Sequence, residues 1–135
     1  MKEIFKSDFL DVQYHEKDSL FHIQWLTPPN GEEFRQGIST VYAEYAKIVP
    51  ERFLIDLRQT GVIPPEDQEW ASKLWMKSKD PIVKIKSAFI VSEDFLTNVS
   101  VEDIINEIKK FDTAGINKYY SDEIEARLWL FSDQD

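Results

Sequence analysis

The chain opens on a period of two. From Ser19 to Leu26 the apolar residues Phe21, Ile23 and Trp25 fall on one face, with His22 and Gln24 on the other, which is the signature of a half-buried strand. Phe9 to Glu16 alternates more loosely, at Phe9, Val12 and Tyr14, and the polar run His15-Glu16-Lys17-Asp18-Ser19 between the two reads as a turn. Ile4 to Leu26 is therefore expected to form short strands joined by tight turns, including an antiparallel hairpin. Thr27-Pro28-Pro29-Asn30-Gly31 then stops the strand.

The period next changes to that of a helix. Phe34, Ile38, Val41, Tyr42 and Tyr45 share one face of a helix from about Glu32 to Ile48, with Glu32 and Glu33 in its electropositive first turn. Pro50 ends it and hands over to an apolar strand, Arg52 to Leu57. A second helix is predicted from Pro65 to Lys77, where Pro65, Glu66 and Asp67 suit the first turn and Trp70, Ala71, Leu74 and Trp75 make a broad apolar stripe. Lys84 to Val91 is a further strand. Its second half, Ala88-Phe89-Ile90-Val91, is apolar on both faces and so belongs inside a sheet covered on both sides.

Ser100 followed by Asp103 predicts the start of a third helix carrying Val101, Ile104, Ile105 and Ile108 inward. After Gly115 comes a short strand, Ile116 to Tyr120, and Ser121 or Asp122 caps a last helix reaching Phe131. On that helix Ala126, Trp129 and Leu130 face one way while Ile124 and Leu128 face the other, at ~100° per residue. One face must meet something other than the core.

Strands alternating with helices after a hairpin predict an α/β fold: a mixed sheet of four to five strands, antiparallel first and then parallel, flanked by about four helices. At 135 residues a single domain spanning 1–135 is expected. The net charge of -9 sets a repulsive field before any phosphate backbone, so no nucleic acid is expected as a partner. No apolar run approaches the roughly 20 residues of a membrane span, and Met1 to Ser7 lacks the apolar centre of a signal peptide. Without cysteine the chain has neither disulfides nor thiolate chemistry, and a cytoplasmic location is expected.

Leu54-Ile55-Asp56-Leu57-Arg58, a glycine turn, Pro65-Glu66-Asp67-Gln68-Glu69-Trp70, the strand ending Ala88-Phe89-Ile90-Val91-Ser92-Glu93-Asp94, and the closing Glu125-Ala126-Arg127-Leu128-Trp129-Leu130 together resemble small bacterial proteins of the SpoIIAA-like group. That group has the STAS fold, also compared with Sec14-like lipid-carrying domains. The resemblance implies a mixed sheet with helices beside it. Anti-sigma-factor antagonists of this kind carry a phosphorylatable serine at a helix start; here the matching position is Pro64-Pro65-Glu66, which has no hydroxyl. Thr60 lies several residues too early, so no phosphorylation switch of that type is expected.

Asp56 and Arg58 end one strand, and Ser92, Glu93 and Asp94 end another expected to run parallel to it, so they should meet in the crevice outside the strand ends. There Arg58 is a candidate to hold a carboxylate or phosphate; alternatively it pairs with Glu66 or Asp67 and pins the loop. The carboxylates Asp56, Glu66, Asp67, Glu93 and Asp94 match no calcium-loop spacing, and neither metal nor cofactor is expected. His15 and His22 both fall in the hairpin, remote in sequence from this rim, and no nucleophile elbow or phosphate-cradling loop occurs. Trp70 and Trp75 lie ~140° apart on their helix, so one is free to line an apolar pocket or a contact surface.

These readings favour a non-enzymatic STAS-like module acting through protein or small-ligand contact. Ile124, Leu128 and Trp75 are candidate interface residues for a homodimer or another protein. The alternative is a carrier or sensor of an apolar or amphipathic small molecule. An enzyme using Asp56, Arg58 and Glu93 ranks third.

Overall fold

A computed structural model of the protein describes residues 1–78, 83–93 and 115–135. Among the described residues six strands form one sheet in the order β1-β2-β3-β4-β5-β6, namely Lys2–Lys6, Leu10–His15, Leu20–Trp25, Arg52–Asp56, Lys86–Ile90 and Ile116–Tyr120. The first three pair antiparallel, and β3 through β6 pair parallel. The expected hairpin is β2–β3, and Arg52 to Leu57 and Lys84 to Val91 supply adjacent parallel strands, β4 and β5.

Six strands replace the expected four to five because of β1. Its only apolar pair, Ile4 and Phe5, is contiguous, and a shift of register between Glu3 and Phe5 spoils any alternation. Such an irregular edge strand leaves no period to read. Three helices stand among the described residues: α1 (Gly31–Ile48), α2 (Pro65–Ser78) and α3 (Glu123–Leu130). The helix expected after Ser100 lies outside the described residues.

Each helix start has a local cause. Asn30 accepts the Glu33 backbone N–H at 2.8 Å while the Glu33 carboxylate accepts that of Asn30 at 3.0 Å, a reciprocal capping box for α1. Asp122 accepts the Ile124 N–H at 3.1 Å at the head of α3. At its other end α3 is held by cations: Arg52 Nε donates to the Leu130 carbonyl at 3.0 Å and Lys86 Nζ to that of Trp129 at 2.8 Å. Since Arg52 and Lys86 begin β4 and β5, the helix runs back from the carboxyl ends of these strands to their amino ends.

The central strands of the sheet are covered on both faces. On one, Leu10, Val12, Phe21, Ile23, Trp25 and Phe53 meet Phe34, Val41 and Tyr45 of α1, with Trp70, Ala71 and Trp75 of α2 packed alongside. On the other, Leu20, Leu54, Ala88 and Ile90 meet Ala126, Trp129 and Leu130 of α3. Each fully buried side chain of this size stabilises by about 1.5–3 kcal/mol, so the double burial of β4 explains its apolar centre, Phe53-Leu54-Ile55. No helix among the described residues is long and apolar enough to cross a membrane.

Candidate ligand cavity and the strand-end network

Among the described residues, α1, α2 and the sheet line an open-sided cavity of about 530 Å³. Its wall is mostly apolar and aromatic, including Tyr42, Phe53, Trp75, Phe89 and Tyr119. Sheet register explains the composition: Phe53 pairs with Ser87 and Ser87 with Asn117, then Ile55 pairs with Phe89 and Phe89 with Tyr119, so two rows of side chains point the same way. Phe89 and Tyr119 stack with ring centroids 4.9 Å apart. Burial pushes the Tyr119 phenol up to about 12 and raises Tyr42 further, so both stay neutral at physiological pH.

Trp75, put forward as a contact-surface residue, packs inward instead. Its ring lies 5.1 Å from those of Tyr42 and Tyr45 and 5.8 Å from Phe53, and it forms part of the cavity wall. Its neighbour Trp70 carries the Arg35 guanidinium 4.9 Å above its ring. The stripe of α2 thus covers a cavity, whereas sequence alone did not decide between core packing, a pocket wall and a contact surface.

At the carboxyl ends of the strands, Asp56 and Arg58 are locked to each other. Arg58 donates through its backbone N and Nε to one carboxylate oxygen, each at 3.0 Å, and through Nη2 to the other at 2.7 Å. Glu123 lies 3.9 Å from the same Nη2. Burial tends to raise the Asp56 pKa, but the Arg58 hydrogen bonds and charge outweigh it and hold the carboxyl below its ordinary value. The alternative pairing of Arg58 with Glu66 or Asp67 does not occur. Asp67, buried on α2, accepts from Arg35 Nε of α1 at 3.0 Å, and Glu66 is exposed. Proximity decides this: Asp67 sits at the start of a helix packed beside α1, while Asp56 is two residues from Arg58 on the same strand end.

Ser92 and Glu93 follow β5 at the same end of the sheet, both exposed, and Ser92 edges the cavity. Asp94 lies outside the described residues. Thr60 also edges the cavity, but it is only 6% exposed and its hydroxyl faces the Leu57 and Gly61 carbonyls at 2.9 and 3.0 Å. No group of three or more potential metal ligands occurs among the described residues.

His22 is nearer to this network than its place in the hairpin suggested. The parallel register sets His22 beside Leu54, so it shares the α3 face with Asp56 two residues on. It is 8% exposed; burial foremost, then the Arg127 charge, lowers its pKa, against the opposite pull of Glu123 and Asp56. Alternation already placed His22 opposite Phe21 and Ile23. What it lacked was the knowledge that β4 lies next door.

No family model matches the chain, and no curated protein matches it. Among solved structures it is similar to an uncharacterised protein of the DUF3478 family from Shewanella loihica PV-4, described as having a SpoIIAA-like fold. The two are 15% identical, with a TM-score of 0.57 over 93% of this chain and 98% of the other. Together with the six-stranded mixed sheet, that likeness gives this chain a SpoIIAA-like fold.

Proposed function

We propose that this protein is a non-enzymatic SpoIIAA-like module that takes an apolar or amphipathic small molecule into the cavity between α1, α2 and the sheet, as its carrier or sensor. The observation that carries this reading is the cavity itself. At about 530 Å³ it falls within the roughly 300–1,000 Å³ usual for ligand pockets, and its wall is mostly apolar and aromatic, with Arg58 the one charged residue among its described lining. Asp56 is bonded through both carboxylate oxygens to Arg58, which supports a structural strand-end network over a reactive rim. Native mass spectrometry of protein purified from cells tests the reading: a one-to-one adduct released by organic solvent supports it. An adduct-free protein that also fails to bind an apolar fluorescent dye contradicts it.

A second reading, contact with another protein or a second copy, is favoured by the outer side of α3, where Ile124 and Leu128 are 68% and 69% exposed. Replacing both with Glu and measuring mass by light scattering checks it. Loss of a dimer supports self-association, and an identical monomeric mass for both proteins removes it.

A further inference from the structure

The cavity is graded along one strand. Phe53 and Ile55 of β4 and Leu57 just beyond it alternate toward the cavity, and Trp75 of α2 lies against Phe53 with ring centroids 5.8 Å apart. Over the roughly 13 Å from Phe53 to Leu57 the wall that this strand contributes carries no charge. Arg58 follows at once, at the carboxyl end of the strand, and is the one charged residue among the described lining. Ligands of open α/β sheets gather at that end. A molecule with an apolar body and a polar head matches this gradient.

Arg58 is held in place without being used up. Asp56 accepts from its Nε and Nη2 at 3.0 and 2.7 Å, which fixes the plane of the guanidinium, and no described residue accepts from Nη1. Glu123 stands 3.9 Å from Nη2 but accepts from Arg127 Nε at 3.1 Å, so Asp56, Glu123, Arg58 and Arg127 balance one another as a set. Asp122, whose charge also reaches Arg58, is exposed to water, which screens it. The Arg58 side chain is itself 42% exposed, so a head group meeting it keeps part of its hydration and escapes the cost of burying an ion. We infer, resting on the small-molecule reading above, that the ligand is an amphiphile with a carboxylate head, which accepts from Arg58 Nη1 at the strand ends while its apolar body lies along Leu57, Ile55 and Phe53 under Trp75. Asp56 is the positioning residue. A charge-assisted bond of this kind is roughly twice as strong as one to a neutral oxygen.

Two probes of equal chain length isolate the head group: dodecanoate, ionised at pH 8, and dodecanol, each titrated by calorimetry and followed by native mass spectrometry. The net charge of -9 repels anions at large, so a preference for dodecanoate has to come from a local contact. The expected result is dodecanoate about tenfold tighter than dodecanol. Asp56→Asn/Arg58→Gln, which leaves neither charge buried without its partner, should erase that difference while the circular dichroism spectrum stays that of the parent. Dodecanol bound by the parent as tightly as dodecanoate, a result that needs no substitution, overturns the inference and leaves ligand uptake standing. A preference that survives in the folded double variant overturns it equally. Failure of both probes, together with an apolar dye, overturns uptake as well.

Discussion

Gly37 sits where helix and sheet come closest. A Cβ there would lie 2.8 Å from both Leu10 Cδ2 and Trp25 Cη2, each in a fully packed side chain. Alanine would gain about 1 kcal/mol of helix propensity, but overpacking costs about 1–3 kcal/mol. Gly37→Ala is accordingly expected to lower the unfolding free energy by about 1 kcal/mol, measured by urea denaturation. His22 gives the second residue-scale prediction. Near Arg127 and Glu123 of α3, His15 of β2 and Asp56 of β4, it has a pKa lowered in the folded chain, chiefly by burial, below the 6.5 of the unfolded chain. Around and below that pH the unfolded state binds more protons than the folded one, so stability falls as pH drops through about 6.5. His22→Gln should flatten this part of the profile. The depressed Asp56 adds a loss of the same sign only as pH falls below its ordinary 3.8.

At the scale of elements, the end of α1 carries strain. Val49 closes the helix at φ 50, ψ 69, a left-handed conformation that suits glycine and disfavours a β-branched side chain. Because Val49 is 47% exposed, little packing is lost by trimming it, and Val49→Gly is expected to stabilise the protein by about 1 kcal/mol. A rise in thermal midpoint of several degrees would register this. The same elements mark how far the sequence could be read. Helices α1 and α2, the β2–β3 hairpin and the parallel pair β4–β5 were legible because amphipathic period, Pro50 and Pro65 and apolar runs agree there. The two-sided α3 was legible as well, down to Ile124 and Leu128 on its outer face. Strand β1 was not, since an edge strand with a bulge has no period. The site was half legible: composition and order put Asp56, Arg58 and Ser92 at one end of the sheet. Which partner Arg58 would choose, and that His22 would join Asp56, depend on strand neighbours that no local pattern encodes.

For the molecule as a whole, the parallel register of β4, β5 and β6 is what shapes the cavity wall. It aligns Ser87 with Asn117 and Phe89 with Tyr119, and α2 lays Trp75 opposite them. Side-by-side polar and aromatic rows appear only once three strands far apart in sequence come together, which is why the cavity could not be read from any single stretch. The most direct measurement fills the space it describes. Ala71 lines the cavity from α2, and Ala71→Phe would place a ring in it. Dodecanol titrated into the parent protein should saturate at one molecule per chain, and into Ala71→Phe should bind at least about tenfold more weakly with the circular dichroism spectrum unchanged. Equal binding by both proteins, or none by the parent, would contradict a ligand held between α2 and the sheet.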